Sequence, residues 1–378
     1  MSADAATGAA KAGPGGAIQV RDTRIPVAAL AGYPDRLDVR SPAEFAHDHI
    51  PGAQSHPVLD DEQRARIGTL HAQASAFAAK RAGAALVARN IAAMLETAFA
   101  DKPREWTPVV YCWRGGKRSG ALTHILNEIG WRAVQLDGGY RAYRRHVVAQ
   151  LDTLPAAFRY EVICGLTGSG KSRLLGALAA EGAQTLDLEG LARHRGSLLG
   201  DLPDAPQPSQ KAFETALVAC LERFDPQLPV YVESESKRIG TVQLPETLLQ
   251  PMRRASCILV ETPRALRVAL LREEYEHFLV DHAMLTARLA PLSELHGRNT
   301  LDAWAAAAAA GDWDALVADL LERHYDPSYA RSMAKNFPNA AIAAAAVVTP
   351  AAATPAAFAA LARELDATIR ARHAALAA

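Results

Sequence analysis

One octapeptide constrains the fold of this chain more than any other part of the sequence. It stands between an apolar β-type segment, residues 160–164, and leucines at helical spacing, and it reads Gly165-Leu166-Thr167-Gly168-Ser169-Gly170-Lys171-Ser172. A glycine-rich loop between a strand and a helix, ending in Gly-Lys-Ser, is the P-loop pattern. Its backbone N–H groups surround a phosphate chain, its lysine neutralises the outer oxygens and its serine is able to ligate Mg²⁺. The pattern predicts a phosphorylated ligand without proving nucleotide hydrolysis. The predicted phosphate-binding residues are Gly165, Thr167, Gly168, Ser169, Gly170, Lys171 and Ser172.

A second glycine-rich loop carries a cysteine in the same strand–loop–helix setting. The apolar residues 109–111 lead into Cys112, and two glycines and three cations follow before a helical pattern begins: Arg114, Lys117 and Arg118. The glycines let backbone N–H groups turn inward, and the helix N-terminus adds positive potential. Cysteines in such settings have pKa values of roughly 3.5–7.5, so Cys112 is predicted to be a thiolate nucleophile beside a bound anion. The alternative, a structural cysteine in the core, does not account for the cations.

Strand-like and helix-like segments alternate along most of the chain, which predicts an α/β fold with parallel sheets. With 378 residues the chain is long enough for two domains. Within the first, residues 18–27 are predicted to hold a strand, Ser41 to cap a helix, and residues 60–99 to form one long helical stretch. The predicted division is a disordered Ala/Gly tail at 1–16, a first α/β domain at 17–150, a second with a helical part at 151–338, and an Ala-rich peripheral helix or tail at 339–378.

Charge and cysteine usage limit the class of protein. The chain has 41 basic and 41 acidic residues, so a nucleic-acid surface would have to be a local patch. Its four cysteines are far apart, which predicts neither a disulfide framework nor a metal site and fits the reducing cytoplasm. No apolar run is long enough to suggest a membrane span.

Two acidic residues follow the apolar run 229–232, and both are candidate ligand contacts. Glu233 would lie at the carboxyl edge of the sheet, where such folds bind ligands, and together with Glu235 it could hold Mg²⁺ or orient a substrate group. The alternative is that both only form ion pairs with Lys237 or Arg238.

Basic residues at two places are candidate phosphate or RNA contacts. Arg195 follows Arg193 and His194 after a predicted strand, and a solvated loop is the alternative. Arginines mixed with aromatic residues near the end of the first domain suit RNA stacking and phosphate contact, although a solvated helix face explains them almost as well. That second set is Arg132, Tyr140, Arg141, Tyr143, Arg144, Arg145 and His146.

Several longer motifs carry a resemblance to a known family. Residues 38–45 and 49–53 (Asp-Val-Arg-Ser-Pro-Ala-Glu-Phe and His-Ile-Pro-Gly-Ala) resemble the signatures of rhodanese domains, and Cys112 lies where such domains keep their sulfur-carrying cysteine. The spacing from Cys112 to Arg118 also satisfies the phosphatase pattern, but Tyr111 replaces its usual histidine. Together with the P-loop and the motifs at residues 187–197, 233–240 and 324–329, the chain resembles tRNA 2-selenouridine synthases from about residue 38 to residue 329.

This resemblance implies a rhodanese-like parallel-sheet domain followed by a P-loop NTPase-like α/β domain with a helical extension. It implies conversion of wobble 2-thiouridine to 2-selenouridine through S-geranyl-2-thiouridine. The implied co-substrates are geranyl diphosphate and selenophosphate, with no tightly bound cofactor, and the implied partner is a tRNA anticodon loop. Cys112 would carry selenium as S-selanylcysteine, assisted by Arg114 and Arg118.

Two other functions stay open from the residues alone. One is a rhodanese-type sulfurtransferase fused to an ATP-dependent kinase or RNA-dependent ATPase. The other is a non-catalytic module that senses a nucleotide. Two measurements discriminate among these two functions and the tRNA-modifying reaction: which ligand the P-loop binds, and whether Cys112 reacts with alkylating agents.

Overall fold

A computed structural model describes residues 23–337 and 344–377 of the chain and contains two five-stranded parallel sheets. The first has the strand order β1-β5-β4-β2-β3, and the second has the order β12-β11-β6-β8-β7. A short antiparallel hairpin, β9 with β10, stands apart. The strands are β1 Arg24–Ile25, β2 Arg36–Asp38, β3 Ala53–Ser55, β4 Val109–Tyr111, β5 Val134–Leu136, β6 Arg159–Cys164, β7 Gln184–Leu186, β8 Pro229–Glu233, β9 Arg238–Ile239, β10 Val242–Gln243, β11 Ser256–Val260 and β12 Ala346–Val348.

Helices connect the strands, and most of those after β11 form a separate helical layer. The α-helices are α1 Pro42–His47, α2 Asp61–Gln73, α3 Ala76–Glu96, α4 Lys117–Ile129, α5 Gly139–Thr153, α6 Lys171–Ala180, α7 Leu188–Ala192, α8 Gln210–Leu221, α9 Glu246–Arg254, α10 Arg264–Glu274, α11 Glu276–Val280, α12 His282–Leu289, α13 Ser293–His296, α14 Arg298–Ala310, α15 Trp313–Leu320, α16 Asp326–Asn336 and α17 Pro355–Ala377. Short 3-10 turns span Val27–Gly32, Leu154–Ala157 and Ala290–Leu292, and a π-helical turn spans Leu321–Tyr325.

The predicted α/β class with parallel sheets is confirmed in both halves, and local boundaries follow the sequence signals. Ser41 and Glu44 form a capping box at the start of α1, with Pro42 in the first helical position. The first strand lies inside its predicted range, at Arg24–Ile25. The stretch expected to be helical at 60–99 is helical at 61–73 and 76–96, and it divides there because Ser75 caps a second helix by accepting a hydrogen bond from the Ala78 N–H. The tail predicted at 1–16 lies outside the described residues.

The two halves share one apolar cluster and a buried polar contact. Side chains of α5 and α8, among them Val147 and Leu217, belong to the same buried cluster. One carboxylate oxygen of buried Asp48 accepts hydrogen bonds from the Tyr140 hydroxyl at 2.6 Å and the Thr215 hydroxyl at 3.0 Å. The first sheet's last helix is therefore attached to the second half by packing and by a satisfied buried carboxylate. Among the described helices, none combines the length and apolar character needed to cross a membrane.

The C-terminal helix is part of the core of the second half. Residues 339–378 were predicted to be a peripheral helix or tail, yet β12 adds a parallel strand beside β11 and α17 packs against α6. The apolar face of α17 carries Phe358, which is buried against the P-loop, since a Cβ on Gly170 would lie 2.6 Å from the Phe358 Cζ. Alanine-rich composition hid this face, because alanine gives little contrast between a buried and an exposed helix side.

We expect Phe358→Ala to destabilise the protein by about 3–5 kcal/mol, the usual cost of removing a buried phenylalanine ring. Urea unfolding followed by circular dichroism measures this change. The matched control is Phe77→Ala, because Phe77 is 74% exposed, and its free energy of unfolding should change by less than about 0.5 kcal/mol. Equal effects of the two substitutions would contradict the packing of α17 against the P-loop.

Candidate functional site

The P-loop lies between β6 and α6, and its backbone requires glycine. Gly168 and Gly170 have φ values of 75° and 85°, the left-handed region that side chains disfavour. A Cβ on Gly165 would lie 2.6 Å from the Ser169 Oγ and 2.8 Å from the Val260 carbonyl oxygen. The loop therefore leaves no room for side chains at these positions, as expected of a backbone that surrounds a phosphate chain.

Lys171 begins α6, and its ammonium group turns back over the loop. Its Nζ donates hydrogen bonds to the Gly165 carbonyl at 2.8 Å and the Leu166 carbonyl at 3.3 Å. Burial alone would lower the pKa of Lys171, but Tyr329 and the neighbouring glutamates raise it above the ordinary value. Lys171 is therefore a permanent cation at neutral pH.

A turn near the end of the helical layer supports the P-loop, and sequence reasoning gave it little weight. The Tyr329 hydroxyl accepts a hydrogen bond from the Gly165 N–H at 2.9 Å and contacts the Ser234 hydroxyl at 3.0 Å. Asp326 forms an ion pair with Arg267, whose Nε donates to the Thr167 carbonyl at 2.9 Å. The motif at residues 324–329 thus positions the loop from outside the sheet. The sequence offered one indication of this supporting role, because the motif combines an aspartate and two tyrosines within one turn.

Three glutamates meet beside the P-loop. Glu233 ends β8, Glu235 follows it, and Glu189 projects from α7; one carboxylate oxygen from each lies within 4.8 Å of the other two. Sequence reasoning singled out the first two and missed Glu189. The Ser172 hydroxyl lies 3.4 Å from a Glu189 oxygen. Among the described residues neither Glu233 nor Glu235 forms an ion pair with Lys237 or Arg238. The alternative prediction, that these glutamates only form such ion pairs, is therefore wrong.

This carboxylate cluster has the chemistry of a magnesium site. Burial first, and then mutual repulsion among the three glutamates, raises the pKa of Glu189 and Glu235, and burial raises that of Glu233. Glu233 is 2% exposed, and its Oε1 has no hydrogen-bond partner in the described part of the chain. Hard oxygen ligands of this kind are those that Mg²⁺ takes. The residues present therefore fit a divalent cation, and together with Ser172 they could hold it.

Arg195 completes the cleft around the P-loop, as the sequence suggested for a phosphate contact. The cleft has a volume of about 440 Å³ and is lined by the P-loop, the glutamates and Arg195. The Arg195 guanidinium lies 4.9 Å from the ring centre of Tyr275, and its Nη1 is buried with no partner among the described residues. Its neighbour His194 instead turns to Asp201, at 3.4 Å. Arg195 thus has an unused donor available for an anion.

The Cys112 loop in the first half stabilises a thiolate mainly through hydrogen bonds. The Sγ accepts from the Gly116 N–H at 3.3 Å and from the Ser119 hydroxyl at 3.2 Å. Burial would raise the pKa of Cys112, but these hydrogen bonds and one from the Arg114 backbone outweigh it and lower the pKa. The Gln135 amide donates to Ser119 at 2.7 Å and holds its hydroxyl in place. The direction of the shift and the contribution of backbone N–H groups agree with the sequence-based expectation, but the Ser119 hydroxyl takes the part expected of the three cations.

The cations expected around Cys112 divide into two groups. Arg114 and Lys117 are exposed and form no ion pair within the described ranges. Arg118 instead forms an ion pair with Glu44 at 2.8 Å, with both side chains largely buried. Glu44 is the acidic residue of the α1 capping box, so Arg118 joins α1 to the cysteine loop.

The arginines and aromatic residues proposed for RNA contact differ in their exposure and in their partners in the structure. Tyr140 and Tyr143 are buried, so the expectation that they stack on RNA is wrong. Arg144 pairs with Glu214 and His146 with Glu222. Three others remain exposed to a partner: Arg132, Arg141 and Arg145. The exposed aromatic ring beside Arg141 and Arg145 is that of Trp113, which follows Cys112 and is 38% exposed, whereas Arg132 precedes β5 at the opposite edge of the sheet.

One chain segment links the two sites. The segment at residues 193–209 begins at the P-loop cleft, which Arg195 lines, and ends at Ser209. The Ser209 hydroxyl donates a hydrogen bond to the His47 carbonyl in the first half. Two residues later, Lys211 lines a surface hollow together with Trp113 and Arg141. The cysteine loop and the P-loop cleft are therefore connected through the start of α8.

Comparisons with known proteins agree with this two-part organisation. A family model described as a rhodanese-like domain matches residues 28–146, and one described as the tRNA 2-selenouridine synthase AAA domain matches residues 158–296. The tRNA 2-selenouridine synthase of Aeromonas salmonicida is 34% identical over 322 residues, which cover 78% of this chain and 85% of that protein. The chain belongs to the tRNA 2-selenouridine synthase family.

Other members of the tRNA 2-selenouridine synthase family match over a shorter length. The synthase of Nitrosomonas europaea is 37% identical over 246 residues, 63% of each protein. That of Hydrogenovibrio crunogenus is 36% identical over 249 residues, 63% of this chain and 67% of the relative. The match to the Nitrosomonas protein thus spans somewhat less than two thirds of that protein's length.

We expect Ser119→Ala to raise the pKa of Cys112 and to slow its alkylation by iodoacetamide at pH 7 about tenfold. The reason is that a hydrogen bond to a charged group contributes about 1.5–3 kcal/mol, and each pKa unit corresponds to about 1.4 kcal/mol. Peptide mass spectrometry across a pH series measures the rate at Cys112. Thr123→Val is the matched control, because its buried hydroxyl lies on the same helix without a hydrogen-bond partner in the described residues. An unchanged alkylation rate in Ser119→Ala would contradict the assigned cause.

We expect Mg²⁺ to raise the Tm of the protein and Glu233→Gln to abolish that rise. A cation at 100 times its Kd stabilises the folded state by about 2.7 kcal/mol. The rise should be larger at pH 8 than at pH 5.5, because the raised pKa values keep part of the cluster protonated at the lower pH. Differential scanning fluorimetry measures both effects. Glu222→Gln, at a surface glutamate outside the cleft, is the control. An equal Mg²⁺ response in Glu233→Gln and the control would contradict the site.

Proposed function

We propose that this protein modifies the wobble base of tRNA, converting 2-thiouridine to 2-selenouridine through S-geranyl-2-thiouridine. Membership of the tRNA 2-selenouridine synthase family supports the class of reaction. The observation that carries the proposal is the pairing of two anion sites in one chain. One is a P-loop with a buried carboxylate cluster, and the other is a glycine-rich loop whose hydrogen bonds lower the pKa of a cysteine.

The first step is geranyl transfer at the P-loop. The thiocarbonyl sulfur of the base attacks C1 of geranyl diphosphate, the C1–O bond breaks, diphosphate leaves with the electron pair, and the base loses its N3 proton. Lys171 and Arg195 neutralise charge that grows on the leaving group, which is the usual way such sites lower a barrier. Mg²⁺, when held by the three glutamates and Ser172, would supply further neutralisation of the diphosphate.

The second step is selenium exchange at C2 of the base. Carrying selenium as S-selanylcysteine would require a two-electron oxidant, and all four cysteines are free thiols, so we propose that Cys112 bonds to the base instead. The Cys112 thiolate attacks C2 of the S-geranyl base, and geranylthiol leaves with a proton from solvent. The selenium of selenophosphate then attacks C2 and releases the Cys112 thiolate, water takes the phosphoryl group from selenium, and the base regains its N3 proton. Arg114, at the exposed rim of the loop, attracts the selenophosphate anion.

A single-stranded anticodon loop is the form of RNA that can present one base to such sites. The exposed Trp113 ring and the cations beside it offer stacking and phosphate contacts next to Cys112. The segment at residues 193–209 leads from there to the P-loop cleft. The proposed reaction requires that the same RNA loop reach both halves of the protein.

We expect two substitutions to separate the two steps. Lys171→Ala should lower S-geranylation by about 100–1,000-fold, the usual effect of losing one electrostatic group in an active site. Cys112→Ser should leave S-geranylation intact and abolish selenium incorporation, because a serine hydroxyl is not ionised at neutral pH. The assay is mass spectrometry of nucleosides after incubation with thiolated tRNA, geranyl diphosphate and selenophosphate. Cys220→Ser, at a partly buried cysteine on α8, is the control for both steps.

Two outcomes would contradict this function in different ways. Full selenation by Cys112→Ser would remove the covalent role of the cysteine while leaving the tRNA reaction in place. Rapid ATP hydrolysis with no S-geranyl nucleoside in the wild type would favour a sulfurtransferase fused to an ATPase.

A further inference from the structure

A narrow apolar chamber lies inside the helical layer, next to the P-loop cleft. Its walls come from α10, α11, α12, α15 and the π-helical turn at Leu321–Tyr325. Leucine, valine, phenylalanine and tryptophan side chains form most of the lining, and the polar exceptions are Thr167, Arg272, Tyr275 and Tyr325. Neither the catalytic steps above nor the packing of the two sheets uses this chamber.

The chamber lies between two apolar clusters of the helical layer. One cluster, on the P-loop side, contains Val268, Leu271 and Leu321. The other contains Phe278, Leu285 and Leu316, among further residues of α11 to α15. Lining side chains come from both clusters, so the chamber occupies the seam between them. The chamber has a volume of about 60 Å³, so a chain of two isoprene units would enter by parting the two clusters along this seam.

The chamber and the P-loop cleft share part of their walls. Thr167, Leu271 and Tyr275 line both spaces. The P-loop turn packs directly on Leu271, because a Cβ on Gly168 would lie 2.6 Å from its Cγ. A ligand whose diphosphate occupies the P-loop therefore has its next atoms at the mouth of the chamber.

Polarity changes sharply at Tyr275, where the two spaces meet. The Tyr275 hydroxyl contacts the Ser197 hydroxyl at 3.3 Å, and its ring lies beneath the Arg195 guanidinium. On the chamber side, the charge of Arg272 is turned away to Asp314 at 2.8 Å. The cleft thus suits an anionic head group, and the chamber suits a hydrocarbon. It offers few of the polar partners that a nucleobase requires.

We propose that this chamber binds the prenyl chain of the diphosphate ester and that Leu285 and Leu316 determine the accepted chain length. The proposal rests on the proposed function for the identity of the ester. Each buried methylene contributes roughly a fourfold gain in affinity, from about 0.8 kcal/mol per CH₂. A chain of two isoprene units in the chamber should therefore bind far more tightly than inorganic diphosphate, which reaches only the P-loop.

The test uses the full-length protein and measures binding separately from catalysis. Titration calorimetry gives the Kd of geranyl diphosphate, dimethylallyl diphosphate and inorganic diphosphate for the wild type, Leu316→Trp and Leu285→Trp. We expect each tryptophan substitution to raise the Kd of geranyl diphosphate by about 100-fold or more, since overfilling a packed site excludes the longer chain. Dimethylallyl diphosphate and inorganic diphosphate should bind within about threefold of the wild type, because the P-loop is untouched.

Two further variants keep the test decisive. Val280→Trp places the same side chain on α11 at a position that is 85% exposed and outside the chamber, so all three Kd values should stay at wild-type level. If a tryptophan variant fails to fold, Leu316→Ala replaces it, and this enlarged chamber should shift preference from geranyl toward farnesyl diphosphate by about tenfold or more.

Wild-type geranyl diphosphate affinity in Leu316→Trp and Leu285→Trp would overturn the chamber as the prenyl site and would leave the proposed function standing. Equal wild-type affinities for geranyl and inorganic diphosphate would also overturn it. Tight geranyl diphosphate binding that both tryptophans abolish, in a protein that forms no S-geranyl nucleoside, would support the chamber and reject the proposed reaction.

Discussion

The Lys171 ammonium group, held over the P-loop carbonyls in the field of three glutamates, is the interaction on which the second half of the protein depends. A buried cation is costly unless opposite charges face it, and a set of buried carboxylates is costly without cations. The two requirements meet where β6, β8 and α7 come together, so the P-loop, Glu233 and Glu189 must lie at one edge of the sheet. Raised pKa values keep part of this cluster protonated at neutral pH, and a bound cation would replace those protons, which is why this edge suits a cation and a phosphate chain together.

Cys112 depends on neutral donors more than on cations. Its lowered pKa comes from the Ser119 hydroxyl and backbone N–H groups, while Arg118 is engaged by Glu44. Hydrogen bonds of fixed geometry stabilise a thiolate without placing a strong permanent charge on it, and this leaves the exposed Arg114 and Lys117 for an incoming anion. The two loops therefore rely on different electrostatics, with charged side chains around Lys171 and neutral hydrogen-bond donors around Cys112.

Sequence reasoning succeeded where the signal was local and failed where a partner came from far along the chain. The capping box at Ser41 and the P-loop glycines follow from neighbours within a few residues. The ion pair of Arg118 with Glu44 joins residues far apart in the sequence, and burial of Tyr140 depends on packing against α8. An arginine or a tyrosine looks the same in a sequence whether it faces RNA or a buried carboxylate.

The sequence by itself determined the α/β class, the P-loop and the direction in which the pKa of Cys112 is shifted, because backbone geometry, helix ends and glycine requirements are set by adjacent residues. Only the tertiary structure decided that Glu189 joins Glu233 and Glu235, that α17 supports the P-loop through Phe358, and that an apolar chamber opens beside the phosphate cleft. These features arise from segments that meet only after the sheets and helices pack. The burial of apolar faces drives this packing and brings charged residues and cavity walls together from distant parts of the chain. No local sequence pattern records which of these residues will meet.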